Sequence, residues 1–113
     1  MDCLFCKIIA GEIPSKKVYE NDYVYAFHDI NPAAPIHVIV IPKIHIESVN
    51  AVDNTNSEYV KHIFESIPKI TEILNIKEDG YRVITNIGEN GGQTVKHLHF
   101  HIIGGTKLKE KLV

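Results

Sequence analysis

Three histidines alternate with hydrophobic residues in His97-Leu98-His99-Phe100-His101-Ile102-Ile103. Successive side chains on an extended strand face opposite ways. His97, His99 and His101 are therefore expected on one face, and Leu98, Phe100 and Ile102 on the other. A solvated edge strand more often carries Lys, Glu and Thr on its polar face than three imidazoles in register. Same-face neighbours lie about 6.6 Å apart and the outer pair about 13 Å apart, so His97 and His101 are not expected to bind one ion. A neutral imidazole, with an ordinary pKa of about 6.5, is a competent nucleophile and proton carrier. Catalysis fits at least two of the three better than shared metal ligation.

The segment Asn86 to Thr94 stands just upstream and contains Gly88, Gly91 and Gly92. The glycines let the backbone turn with its N–H groups exposed, and Asn86, Gln93 and Thr94 add side-chain donors, the make-up of a phosphate cradle. A plain connection between two strands has a similar composition; adjacency to the histidines favours the cradle. His37 is the lone polar residue in the run Ile36 to Ile41. It is either a core histidine satisfied by a backbone carbonyl or a functional group, and the strand alone does not choose. Cys3 and Cys6 enclose only two residues. They can be read as a redox pair, as half of a zinc site or as two small hydrophobes, and the redox pair lacks its usual βαβ surroundings. Zinc needs two further ligands, which His45 and His97 supply, giving an expected structural Cys2His2 site. His28 and His62 receive no role.

The chain that must position these groups has 113 residues, 44% of them hydrophobic, which suits one domain over 1–113 with a single core. A formal charge of -2 lacks the basic excess of generic nucleic-acid binders. Apolar runs such as Val38 to Ile41 fall far short of the roughly 20 residues that span a bilayer. Met1-Asp2-Cys3 has neither a basic leader nor a small-residue cleavage site, so the cytoplasm is the expected compartment. Cys3 to Ile9 reads as one or two helical turns. Tyr23 to His28, Ile36 to Ile41, Tyr81 to Asn86 and Val95 to Ile103 read as strands. Ile36 to Ile41, almost continuously apolar, is expected at the sheet centre, covered on both sides. Val60, Ile63, Phe64, Ile67, Ile70 and Leu74 recur at helical spacing, placing one long amphipathic helix over Ser57 to Asn75, with a kink or a break expected at Pro68. Thr106 to Val113 is a basic tail, expected to be mobile. Together these elements predict an α+β domain with a mostly antiparallel sheet and the long helix on one face.

The same segments resemble the histidine triad (HIT) family, whose motif alternates three histidines with hydrophobes as His97 to Ile103 does. Phe5 to Pro14, Ala26 to Pro32, Ile39 to Lys43 with His45, and Gly91 to Thr94 are similar to its Hint-like branch, and the likeness runs from Cys3 to Gly105. The resemblance implies a five-stranded sheet and hydrolysis or transfer at the α-phosphate of a purine nucleotide, typically an adenosine or guanosine monophosphate joined to an amine. It implies that His99 is the nucleophile, forming a nucleotidyl-histidine intermediate. His101 would contact the α-phosphate and the leaving group, as would Thr94, while Asn86 and Gln93 bind phosphate. His37 would orient and polarise the nucleophile, Asp29 hold the ribose, and Phe5, Ile13, Phe27 and Ile30 surround the base. Zinc-bearing bacterial members resemble this chain at Cys3, Cys6, His45 and His97, so zinc is structural and no catalytic metal is implied. The long helix resembles the element through which Hint proteins dimerise. The chain lacks the Trp-containing C-terminal segment of animal members, so leaving-group preference does not transfer. A Fhit-like hydrolase of dinucleoside polyphosphates shares the histidine stripe but usually lacks the paired cysteines. A zinc-stabilised nucleotide-binding module with little turnover is the reading from another class.

Overall fold

Five strands and two helices make up the computed structural model, which describes residues 3–111. In chain order they are α1 (Leu4–Ile9), β1 (Lys17–Glu20), β2 (Val24–His28), β3 (Ile36–Pro42), α2 (Ser57–Ile73), β4 (Arg82–Ile84) and β5 (Phe100–Gly104), with a 3-10 turn at Val49–Ala51 before α2. All neighbouring strands are antiparallel, in the order β1-β2-β3-β5-β4. The α+β architecture expected from the sequence is the one observed. β1, whose four residues Lys-Val-Tyr-Glu make too short a run to register as an alternating pattern, is the strand that periodicity missed.

β3 is the central strand, and the period-2 rule divides it cleanly. Val38 and Val40 face α2 in a cluster with Val24, Ala26, Phe100, Ile102, Ile63, Ile67 and Ile70. Ile39 and Ile41 face the other way, toward Phe5, Ile8 and Phe27. Each fully buried isoleucine or valine in these layers contributes about 1.5–3 kcal/mol relative to exposure. His37 has the parity of Ile39 and Ile41, so the pleat sends it to the α1 face.

α2 is one continuous run of 17 residues despite Pro68 inside it, so the expected break is absent. Proline removes the hydrogen bond to the Phe64 carbonyl. Pro68 and Phe64 both lie on the exposed face, while Ile63, Ile67 and Ile70 on the inner face are at most 5% exposed. The defect thus falls away from the packing surface. The helix ends at a left-handed Asn75 (φ 59°), where Asn75 N–H donates to Glu72 and Ile76 N–H to Thr71, as a Schellman cap requires.

The two strands around the glycine-rich loop are shorter than the sequence suggests. The expected Tyr81–Asn86 strand pairs only over Arg82–Ile84, and Val95–Ile103 pairs only from Phe100. Before Phe100 the backbone finds other partners: Leu98 N–H donates to the Ile46 carbonyl at 2.6 Å, and the Thr85 hydroxyl donates to the His99 carbonyl at 2.7 Å. Leu112 and Val113, the end of the tail expected to be mobile, lie outside the described residues, as do Met1 and Asp2. Within the tail, Arg82 Nη2 donates to the Lys109 carbonyl at 2.6 Å. Among the described residues no helix is long and apolar enough to cross a membrane.

Candidate functional site

The pleat that carries Ile39 and Ile41 to the α1 face also carries His37 there, and on β5 the same parity brings His101. The register pairs Ile39 with His101 and His37 with Ile103, so His37 and His101 are diagonal neighbours on one face. Their rings meet, with His37 Nε2 2.9 Å from His101 Nδ1. His99, just before β5, stacks edge-on to His101 with ring centroids 5.0 Å apart. His97 parts company with both. Its ring is fully buried and turned toward the cysteines.

Backbone groups fix the tautomers of His37 and His99, and His37 fixes that of His101. Ala33 N–H donates to His37 Nδ1 at 2.9 Å, so the neutral His37 ring carries its proton on Nε2. That proton is donated to His101 Nδ1, and Asp29 Oδ2 lies 3.4 Å from His37 Nε2. His101 in turn must carry its own proton on Nε2. His99 Nδ1–H donates to the His97 carbonyl at 2.7 Å, leaving a lone pair on Nε2. Burial lowers the His99 imidazole from its ordinary value. Burial, with His99 and His37 alongside, pushes His101 down to about 4. All of this keeps a nucleophilic nitrogen unprotonated beside an N–H donor at neutral pH.

His99 and His101 line a cavity of about 420 Å³ between α1 and the sheet. Its apolar wall includes Phe5, Ile13, Phe27 and Ile30, and Asp29 and Thr94 complete the sequence-predicted residues present. Phe5 sets its ring edge against His99 at 5.0 Å and against Phe27 at 5.7 Å. Ile30 is 91% exposed at the mouth, an apolar residue left for something else to cover.

Two expected phosphate ligands are spent inside the loop. Gln93 Nε2 donates to the carbonyls of Glu47 (2.7 Å) and Val95 (3.0 Å), and its Oε1 accepts Gly88 N–H. Asn86 Nδ2 donates to the Gly91 carbonyl at 2.8 Å. Neither side chain lines the cavity of the histidine pair. A Cβ at Gly91 would collide with the Ile87 carbonyl, which explains that glycine. Sequence reasoning missed His28, which sits at the cavity rim with Ser15 and Lys16. Its place beside Asp29 at the end of a strand was the available signal. It also missed Thr85 and the Ala33 amide, whose roles depend on tertiary hydrogen bonds. His62 stacks flat on Tyr23, with centroids 3.7 Å apart, and does structural work.

Among the described residues, two groups of side chains bring metal-ligating atoms within 4.8 Å of one another: Cys3, Cys6, His45 and His97, and Asp29, His37 and His101. The first fits a tetrahedral ion. His97 Nδ1 lies 3.3 Å from Cys3 Sγ and 3.5 Å from Cys6 Sγ, and His45 Nδ1 lies 3.5 Å from Cys6 Sγ. Sulfur and nitrogen ligands on one tetrahedral zinc stand about 3.6 Å apart. His97 donates Nε2–H to the Pro42 carbonyl at 3.1 Å, which orients Nδ1 as ligand, and burial holds the ring down at about 4. Burial and the adjacent Cys3 push the Cys6 thiol up to about 11, so a thiolate there needs a cation. The second group does not fit, because the Ala33 amide keeps the proton on the very His37 nitrogen an ion would need.

The HIT domain family pattern matches residues 10–108. A protein of Escherichia coli K12 named purine nucleoside phosphoramidase is 45% identical over 107 residues, covering 95% of this chain and 90% of that protein. The solved structure of a HIT family hydrolase from Clostridium thermocellum superposes with a TM-score of 0.96 at 47% identity, covering 99% of this chain and 97% of that one. A histidine triad protein from Clostridium difficile gives 0.94 at 50% identity, with 98% and 96% covered. The chain belongs to the HIT family.

Proposed function

We propose that this HIT-family enzyme hydrolyses purine nucleoside 5'-phosphoramidates through a nucleotidyl-histidine intermediate. The observation that carries the reading is the pairing of His99, with Nδ1–H tied to the His97 carbonyl and a lone pair on Nε2, with His101, whose Nε2 keeps its proton. The name of the Escherichia coli relative supports the substrate class. The purine lies against Phe5, Ile13, Phe27 and Ile30, and the ribose hydroxyls bond to Asp29. His99 Nε2 attacks phosphorus as the P–N bond breaks. Water then attacks the same phosphorus and releases the nucleoside monophosphate. Departure of the amine takes up one proton and attack by water gives one back; the His101 Nε2–H is placed to serve both. Thr94 supplies the phosphoryl oxygens with a donor, a role in which the Asn86 and Gln93 side chains act by holding the turn that carries it.

Cys3, Cys6, His45 and His97 hold zinc in a closed set of four ligands, where it cross-links the N-terminus to the start of β5 and takes no part in the chemistry. Two copies pair through α2 and the free edge of β4. Exposed Phe64, Ile73 and Val83, at 53%, 56% and 36%, support that surface.

The decisive test is His99→Asn: release of amine from adenosine 5'-phosphoramidate should fall by about 10³-fold or more while AMP still binds. Turnover equal to wild type, or activity confined to dinucleoside polyphosphates, overturns the reading. Elemental analysis of untagged protein should return about one zinc per chain, with Cys6→Ser losing it and melting several degrees lower; a metal-free protein of equal stability excludes the zinc site. Light scattering should give twice the chain mass of 12.8 kDa, and a monomer at working concentration removes the dimer. The depressed His101 pKa has a stability consequence. Between pH 6.5 and about 4 the unfolded chain binds a proton that the folded His101 refuses, so His101 contributes stability in full above 6.5 that is lost as the pH falls toward 4. Urea midpoints should drop across that window, and less so in His101→Gln; equal slopes would contradict the buried neutral imidazole.

A further inference from the structure

The His99–Phe100 peptide is one of the two that link the cavity imidazoles, and the orientation of its plane bears on the angle at which the rings meet. On its β4 side regular sheet pairing does not hold it. The β4–β5 ladder stops at Ile84 opposite His101. One step beyond, the Thr85 hydroxyl donates to the His99 carbonyl at 2.7 Å, reaching across where the ladder has ended. A β-branched residue suits the task, because its few χ1 rotamers keep the hydroxyl aimed. Other ties to this stretch are the pairing of Phe100 with Val40 on β3, Leu98 N–H on the Ile46 carbonyl, and His99 Nδ1–H on the His97 carbonyl.

We propose that Thr85 is a positioning residue for the phosphoryl-transfer reaction: its hydroxyl locks the His99–Phe100 peptide, and so the alignment of His99 Nε2 with the Nε2–H of His101. The inference rests on His99 being the nucleophile. Thr85 does not line the cavity and need not touch substrate. It acts through the backbone, so its loss should slow the reaction without weakening nucleotide binding. A small misplacement of a reacting nitrogen is enough to cost one to two orders of magnitude in rate.

Thr85→Val keeps the shape and removes the hydroxyl; Thr85→Ser keeps the hydroxyl. With adenosine 5'-phosphoramidate, Thr85→Val should lower kcat by about tenfold or more with KM and AMP affinity unchanged, and Thr85→Ser should restore most of the rate. Nitrogen-15 NMR of the imidazoles should show the His99 and His101 ring signals displaced in Thr85→Val and returned in Thr85→Ser. A wild-type kcat in Thr85→Val overturns the proposal, as does a loss shared equally by Thr85→Ser or one that tracks the melting temperature alone. His99→Asn measured alongside separates the failures. If His99→Asn is active, the nucleophile assignment is wrong; if it is inactive and Thr85→Val is not impaired, only the Thr85 assignment is.

Discussion

One buried residue, His97, is held by three of its own atoms, and the site is built outward from it. Nδ1 faces the Cys3 and Cys6 sulfurs, Nε2–H donates to the Pro42 carbonyl, and the main-chain carbonyl accepts the Nδ1–H of His99. The third contact decides the chemistry. An imidazole without a fixed partner exchanges tautomers and rings freely; one whose Nδ1–H is committed to a carbonyl presents a lone pair at Nε2 and nowhere else. A residue that lies outside the cavity thus sets the electronic form of the residue inside it.

Much of this was legible in the sequence, because it follows from the two-residue period of a strand. His37 in an apolar run looked ambiguous on its own. Once β3 is central, with Val38 and Val40 turned to α2, His37 can only share the other face with Ile39, Ile41 and His101. The cysteine pair and its two histidines were equally readable, since ligand chemistry demands four donors and few were available. Other features were not readable, for physical reasons. The start of β5 depends on the Ile46 carbonyl and the Thr85 hydroxyl, partners distant in sequence that take over the backbone before Phe100. Gln93 looks like a phosphate donor from its type, and only the folded loop reveals that both of its amide hydrogens go to carbonyls. Pro68 breaks helices by rule, yet here the lost bond falls on the outer face, where nothing in the core depends on it.

The burial that packs the histidines also tunes them. Desolvation disfavours the charged imidazolium, and each neighbouring imidazole adds to the penalty, so His101 is pushed down to about 4 even though Asp29 opposes the shift. With His101 neutral, the Ala33 amide, His37 and His101 form a directed chain of donor to acceptor, Ala33 N–H to His37 Nδ1 and His37 Nε2–H to His101 Nδ1. The Ala33 amide, which is not a titrating group, sets the direction of that chain at its far end. The Asp29 carboxylate flanks the chain, with Oδ2 3.4 Å from His37 Nε2.

α1 has only six residues, too few for a helix to hold itself together in water. Its position comes from both ends of its own sequence: the Cys3 sulfur caps it by accepting Cys6 N–H, and Phe5 and Ile8 are buried against the sheet. Phe5 stands between the two cysteines and touches His97, His99 and Phe27 with its ring edge. The same turn of helix therefore carries two of the four metal-ligating side chains, one wall of the cavity and a packing contact on His99. That one turn ties the cysteine–histidine group, the cavity wall and the His99 ring together. This is how a small domain, with no disulfide and one layer of helix on each face, holds these side chains in alignment.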